Sequence, residues 1–396
     1  MLKFRKTKLG LLPRIVIAIL AGVALGLAAP QWAARAAATF NSLFSSFLQF
    51  LIPLIIIGLV CPAIADIGKD AGKLLLITTL IAYGDTVFSG LLSYGVSSSV
   101  FPSLIPEGGP LEELAAMEDS APFFSLNIPP PLDVMTSLIL AFTLGLGLAF
   151  VGGDTLKASF REFKEIIAKT IEAVIIPLLP FYIFSIFMNM AYSGQAFRII
   201  KLFVSIIAVI FLMHIFLLVL QYSIAGLFTK RNPFKLLGTM MPAYFTALGT
   251  ASSAATIPVT LKQSLKNGVS PEIAGFTIPL CATIHLSGSI LKITACSVAL
   301  MLMTGQPFDF GLYLGFILML AVMMVAAPGV PGGAIMAALG VLSSILGFGE
   351  SEQALMIALY IAMDSFGTAC NVTGDGAIAL VIDRFFRKKA EPAVNG

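Results

Sequence analysis

Asp85, His214, His285, Lys292, Asp364 and Asp375 all stand inside stretches that are otherwise apolar. An ionisable group is costly in such surroundings unless it faces a partner or a water-filled cavity, so each is a candidate for binding chemistry. Asp364, Thr368, Asn371 and Asp375 are spaced four, three and four, which lays them along one face of a helix. An aspartate on that stripe can neutralise a bound ammonium. The hydroxyl, the amide and the second carboxylate offer the hard oxygens that a small cation such as sodium takes. The structural alternative is a polar seam joining two helices, and two carboxylates in one seam count against it. The triplet NVT (371–373) also fits a glycosylation acceptor, a reading set aside because it lies within an apolar span.

Two further stretches carry polar groups into apolar runs. In TIHLSGS (283–289), His285, Ser287, Gly288 and Ser289 sit midway along a span, where a break in the helix would free carbonyls for a cation. In GTASSAAT (249–256), Ser252 and Ser253 can offer hydroxyls and backbone groups to a carboxylate if a helix N-terminus points at it. His214 lies in a Leu- and Ile-rich run and reads as a packing or lipid-interface histidine. Trp32 reads as an interfacial anchor at the end of the first span. Cys61, Cys281, Cys296 and Cys370 have no metal-like spacing and read as small buried hydrophobes. No Ser–His or paired-aspartate catalytic motif and no P-loop-type glycine motif stands out, so neither an intramembrane enzyme nor a nucleotide, haem or metal cofactor is expected.

The elements that hold these residues are membrane spans. Hydrophobic residues make up 58% of the 396 and charged ones 11%, with a mean hydropathy of +0.97, which excludes a soluble globular domain. The basic residues lie in short connections instead of forming one face, so the net charge of +3 gives no reason to expect nucleic acid. Full spans are predicted at about 14–36, 40–66, 72–103, 132–152, 170–193, 199–228, 276–304 and 354–382. Lys3, Arg5, Lys6, Lys8 and Arg14 precede the first, and Arg384, Arg387, Lys388 and Lys389 follow the last, which puts both termini in the cytoplasm. The start lacks the features of a removable signal and reads as the first span. Lys69 and Lys73, then Lys157 to Lys169, then Lys230 to Lys235 fall on the same side, and the acidic segment PEGGPLEELAAMEDSAP falls on the other. Segments 236–272 and 310–349 are interrupted, by GTASSAAT and APGVPGG, and return to the side they start from. The fold expected is therefore all-α and integral to the membrane, with eight transmembrane helices plus two oppositely oriented re-entrant helical hairpins. Such interruptions at membrane depth point to the binding site of a secondary transporter.

In SSAATIPVT (252–260), TIHLSGS (283–289), PGVPGGAIM (328–336) and NVTGD (371–375) the chain resembles the dicarboxylate/amino acid:cation symporters, the glutamate-transporter-like family, and the similarity runs over most of its length. The resemblance implies a homotrimer in a plasma or inner membrane. A scaffold would come from 1–66 and 132–193, and an elevator-like transport domain from 72–103 and 199–384. It implies that the hairpins gate the solute, with Ser252, Ser253, Ser289, Val330, Gly332 and Thr368 lining it. It implies that Asp364 holds an amino group, that Asn371 touches solute and cation, and that Asp375 ligates sodium. Tyr83 and Thr86 match a further sodium site in the third span, beside Asp85.

The departures from that family bear on the cargo. Gly367 and Ala251 stand where an arginine would grip an acidic side chain, which favours a neutral solute. His285, Leu286, Ser287, Gly288 and Ser289 replace Asn-Met-Asp-Gly-Thr and remove an amide and a carboxylate from cation ligation. Three arrangements of Asp85 and Lys292 are open: Asp85 replaces the carboxylate lost at Ser287; or Lys292 pairs with Asp85 in place of a sodium ion, leaving His285 to carry a proton; or Lys292 replaces the missing arginine and binds an anion. The function expected is symport of a small amino acid, neutral favoured, or a dicarboxylate, coupled to sodium or protons. The alternative is a passive channel, which would need a continuous polar pore.

Overall fold

The computed structural model describes residues 11–67, 73–105, 121–151, 154–194, 196–327 and 331–386. The charged ends before Leu11 and after Phe386, Lys69, and most of the acidic segment lie outside those residues, as does Val330. Among the described residues the regular structure is helical, with no strand. In chain order the helices are α1 Leu11–Gly26, α2 Gln31–Ile67, α3 Lys73–Leu104, α4 Val134–Val151 and α5 Asp154–Thr170. A π-turn at Ile171–Ile175 leads to α6 Ile176–Tyr192, then α7 Ala196–Thr229, α8 Pro233–Thr250, α9 Ser253–Lys266 and α10 Pro271–Ile284. The last five are α11 Ser287–Met303, α12 Phe310–Ala326, α13 Gly333–Leu346, α14 Glu350–Ala362 and α15 Asp364–Phe386. Among the described residues, five helical stretches are long and apolar enough to cross a membrane, or six if α14 and α15, bent by 62° at their junction, count as one.

The boundaries show where local chemistry overrides hydropathy. The first span, expected to run to residue 36, ends at Gly26, and α2 begins at Gln31. Pro30 has no N–H to continue the first ladder, whereas it fits immediately before a helix start. Trp32 therefore opens α2 instead of closing α1, and it is exposed. The segment expected to be a basic connection before residue 170 is the amphipathic α5, continuous with α6 through the π-turn. Pro177 accounts for that turn, because it cannot donate to the carbonyl one turn back.

Breaks within apolar runs are the features that create a site. α8 ends on Ala251, whose φ of 48° and ψ of 30° are left-handed, and Ser252 caps α9 by accepting from Ala255 N–H at 3.3 Å. α10 and α11 part at His285 and Leu286. The run expected as one span over 354–382 is bent at Met363, immediately before Asp364. α15 packs against α7, α8, α9, α10 and α11, and α11 also packs against α3, so the broken segments surround one helix.

Candidate functional site

Two charged constellations lie along α15, whose Asp364, Thr368, Asn371 and Asp375 are all buried. At Asp375, the imidazole of His285 bridges two carboxylates. Nδ1 is 2.8 Å from Asp375 Oδ1 and Nε2 is 2.7 Å from Asp85 Oδ2. Both ring nitrogens face carboxylate oxygens, so the unit holds at least one proton beyond a neutral imidazole between two carboxylates. That proton makes the ring an imidazolium or sits on a carboxyl. Gln221 Nε2–H donates to Asp85 Oδ2 at 2.7 Å and to Ser287 Oγ at 3.3 Å. Asp375 Oδ2 and Gln221 Oε1 are buried with no hydrogen-bond partner among the described residues.

At Asp364, Lys292 Nζ donates to Oδ1 at 3.0 Å and the Gly332 N–H donates to Oδ2 at 2.8 Å. The same ammonium sits 3.5 Å from the centroid of the Tyr360 ring and 3.5 Å from Met363 O, and Lys292 is fully buried. Gly367 makes the arrangement possible, since a Cβ there would stand 2.7 Å from Nζ and 2.8 Å from Cε. Pairing of Lys292 with Asp85, one of the arrangements open from the sequence, is thereby corrected. Asp85 is taken by His285 from the break between α10 and α11, while the side chain of Lys292, the sixth residue of α11, reaches the first turn of α15.

Asn371 joins the two constellations. Its Oδ1 accepts from Gly288 N–H at 2.8 Å, its Nδ2 donates to Ser289 Oγ at 3.2 Å, and Ser289 Oγ shares a hydrogen bond with the Tyr360 hydroxyl at 3.2 Å. Gly288 is required for this approach, because a Cβ would meet Gly367 O and Cys370 Cβ at 2.7 Å each. His214 is more than packing: its ring stands 2.9 Å from Gly288 O and satisfies a carbonyl beside the helix break. The four cysteines are buried and free.

Other expected residues are not drawn in. The Tyr83 hydroxyl donates to Leu318 O on α12 at 3.1 Å, and Thr86 is bonded within its own helix to Ala82 O at 2.7 Å. Thr368 likewise donates to Asp364 O at 3.0 Å. Ser252 and the buried Ser253 stand at the start of α9. Gln221 and Tyr360 belong to the site without having been singled out; a lone glutamine in the apolar run FLLVLQYSIAGLF was the available signal for the first.

A family model described as the sodium:dicarboxylate symporter family matches residues 11–385. Serine/threonine transporters SstT from two strains of Acinetobacter baumannii, ATCC 17978 and SDF, are each 27% identical over 396 residues, covering 95% of this chain and 97% of the relative.

Proposed function

The chain belongs to the sodium:dicarboxylate symporter family and is a membrane transporter, not an enzyme; on that premise we propose that it carries a small amino acid or related small carboxylate with sodium, and that His285 has taken over one cation position. The observation that carries this reading is the placement of the imidazole between Asp85 and Asp375. An imidazolium against two carboxylates still leaves one negative charge, and Asp375 Oδ2 is an unpartnered oxygen at that place. One monovalent cation completes the balance, and sodium is the cation in the family's description. Symport needs the loaded and empty forms to differ in their ability to move, and a shared charge unit gives solute and cation a common sensor. The serine/threonine relatives and the absence of an arginine at Gly367 and Ala251 support a small, uncharged solute side chain.

The architecture we propose has eight spans, with α8–α9 and α12–α13 as re-entrant pairs and both termini cytoplasmic. α1, α2, α4, α5 and α6 form the scaffold, and the remaining helices move as an elevator. Packing supports that division, because α1 lies chiefly against α6 and α2 chiefly against α4, α5 and α6, with smaller contacts from this group to α7, α12, α13 and α14. A homotrimer, implied by the resemblance, is tested by mass in detergent. Uptake into proteoliposomes, driven in turn by a sodium gradient and by a pH gradient, tests the coupling. Accumulation that follows sodium supports the reading; accumulation unchanged when sodium is removed refutes it.

A further inference from the structure

Resting on the reading that the solute is a small carboxylate, we propose that it carries no amino group, because Lys292 supplies from within the protein the ammonium that Asp364 would otherwise take from the cargo. Each oxygen of Asp364 is already engaged, Oδ1 by Lys292 Nζ at 3.0 Å and Oδ2 by the Gly332 N–H at 2.8 Å. The ammonium in turn has three partners: the carboxylate, Met363 O at 3.5 Å and the face of Tyr360, whose centroid lies 3.5 Å away. Gly367 leaves the space that Nζ fills.

A cargo ammonium reaching for Asp364 would have to displace Lys292. That exchange replaces one buried cation by another and leaves the displaced ammonium without its carboxylate, in a place with no solvent exposure. An amine-free acid makes no such demand. Neither α11 nor α15 carries another basic side chain until Arg384 at the far end of α15, and Lys292 is already neutralised, so a second carboxylate on the cargo would find no clamp there. The class this selects is the short 2-hydroxy or 2-oxo monocarboxylate.

Isosteric pairs decide the matter. L-lactate against L-alanine and L-glycerate against L-serine are compared as stabilisers of the purified full chain in sodium and as cargo in proteoliposomes. The hydroxy acids are expected to be preferred by roughly tenfold or more in the wild type. Lys292→Met frees Asp364 and is expected to reverse that preference. If Lys292→Met does not fold, the wild-type comparison stands alone as the test, because it needs no variant. A wild-type preference for alanine or serine would overturn the inference while leaving sodium-coupled carboxylate transport intact. Binding of a dicarboxylate such as succinate, with none of either monocarboxylate pair, would overturn the monocarboxylate class while upholding a cargo without an amino group. If no carboxylate of any kind binds or moves, the transport reading itself fails and the inference falls with it.

Discussion

The Nζ of Lys292 stands 3.0 Å from Oδ1 of Asp364, in the space that a side chain at position 367 would fill. This relationship ties three positions together: the lysine needs the aspartate for its charge and the glycine for its volume. Gly367→Ala puts a methyl group against Nζ and Cε and is expected to push the ammonium off its carboxylate. Overpacking of this kind costs about 1–3 kcal/mol. The loss is read as a lower midpoint of thermal unfolding in detergent, and in a Lys292→Ala background Gly367→Ala should cost little, because Nζ, Cε and Cδ, the atoms a Cβ would meet, go with the lysine. An unaltered midpoint in the single variant would mean that the ammonium is not held there.

His285 sets the dependence on pH. Its charged neighbours are Asp85 from α3 and Asp375 from α15, with the amide of Gln221 from α7 completing the group. While the unit holds its proton, one negative charge is left for sodium. When the proton leaves as pH rises, two negative charges face the cation, so sodium affinity is expected to be higher at alkaline pH than at neutral pH. Sodium titrations at the two pH values, followed by thermal stabilisation, check the sign. In His285→Gln the sodium affinity is expected to lose this dependence, and a variant that kept it would assign the titration to another group.

The stripe on α15 was legible because helical spacing alone aligns Asp364, Thr368, Asn371 and Asp375, and the break at His285 was legible because Gly288 and two serines interrupt an apolar run. The partners across helices were not. Spacing says nothing about which of Asp85 and Asp364 a lysine on another helix will reach; that depends on the bend at Met363 and on the room at Gly367. Gln221 does not stand out by type, because a single amide in an apolar span is also what an ordinary interhelical hydrogen bond needs. The end of α1 departs from the expectation because hydropathy continues past Gly26, whereas Pro30 interrupts the helix.

Gly288 tests whether the α11–α15 approach is rigid. An added Cβ would meet a backbone carbonyl, Gly367 O, at 2.7 Å, and backbone cannot swing aside as a long side chain can. Gly288→Ala is expected to destabilise by about 1–3 kcal/mol and to weaken the Gly288 N–H to Asn371 hydrogen bond. Gly315→Ala on α12 is the control, since a Cβ there meets nothing within 4 Å, and alanine in a helix interior is favoured over glycine by roughly 0.5–1 kcal/mol. Equal unfolding midpoints for the two variants would show that the helices have slack at Gly288.

Gly340 tests the division into scaffold and moving unit. A Cβ at this position on α13 would stand 2.8 Å from Ile56 Cδ1 and 3.1 Å from Ile52 Cγ2 on α2, so the isoleucines of α2 pack directly onto the bare backbone of α13 at Gly340. If α13 moves and α2 does not, this contact must break in every cycle. Cysteines at 56 and 340, in a background with Cys61, Cys281, Cys296 and Cys370 replaced, should be bridged by mercuric ion. Bridging is expected to arrest transport while solute still raises thermal stability in whichever state is trapped, and removal of the metal by excess thiol should restore transport. Undiminished transport by a fully bridged sample would mean that α2 and α13 travel together, and the boundary between the two units would have to be drawn elsewhere.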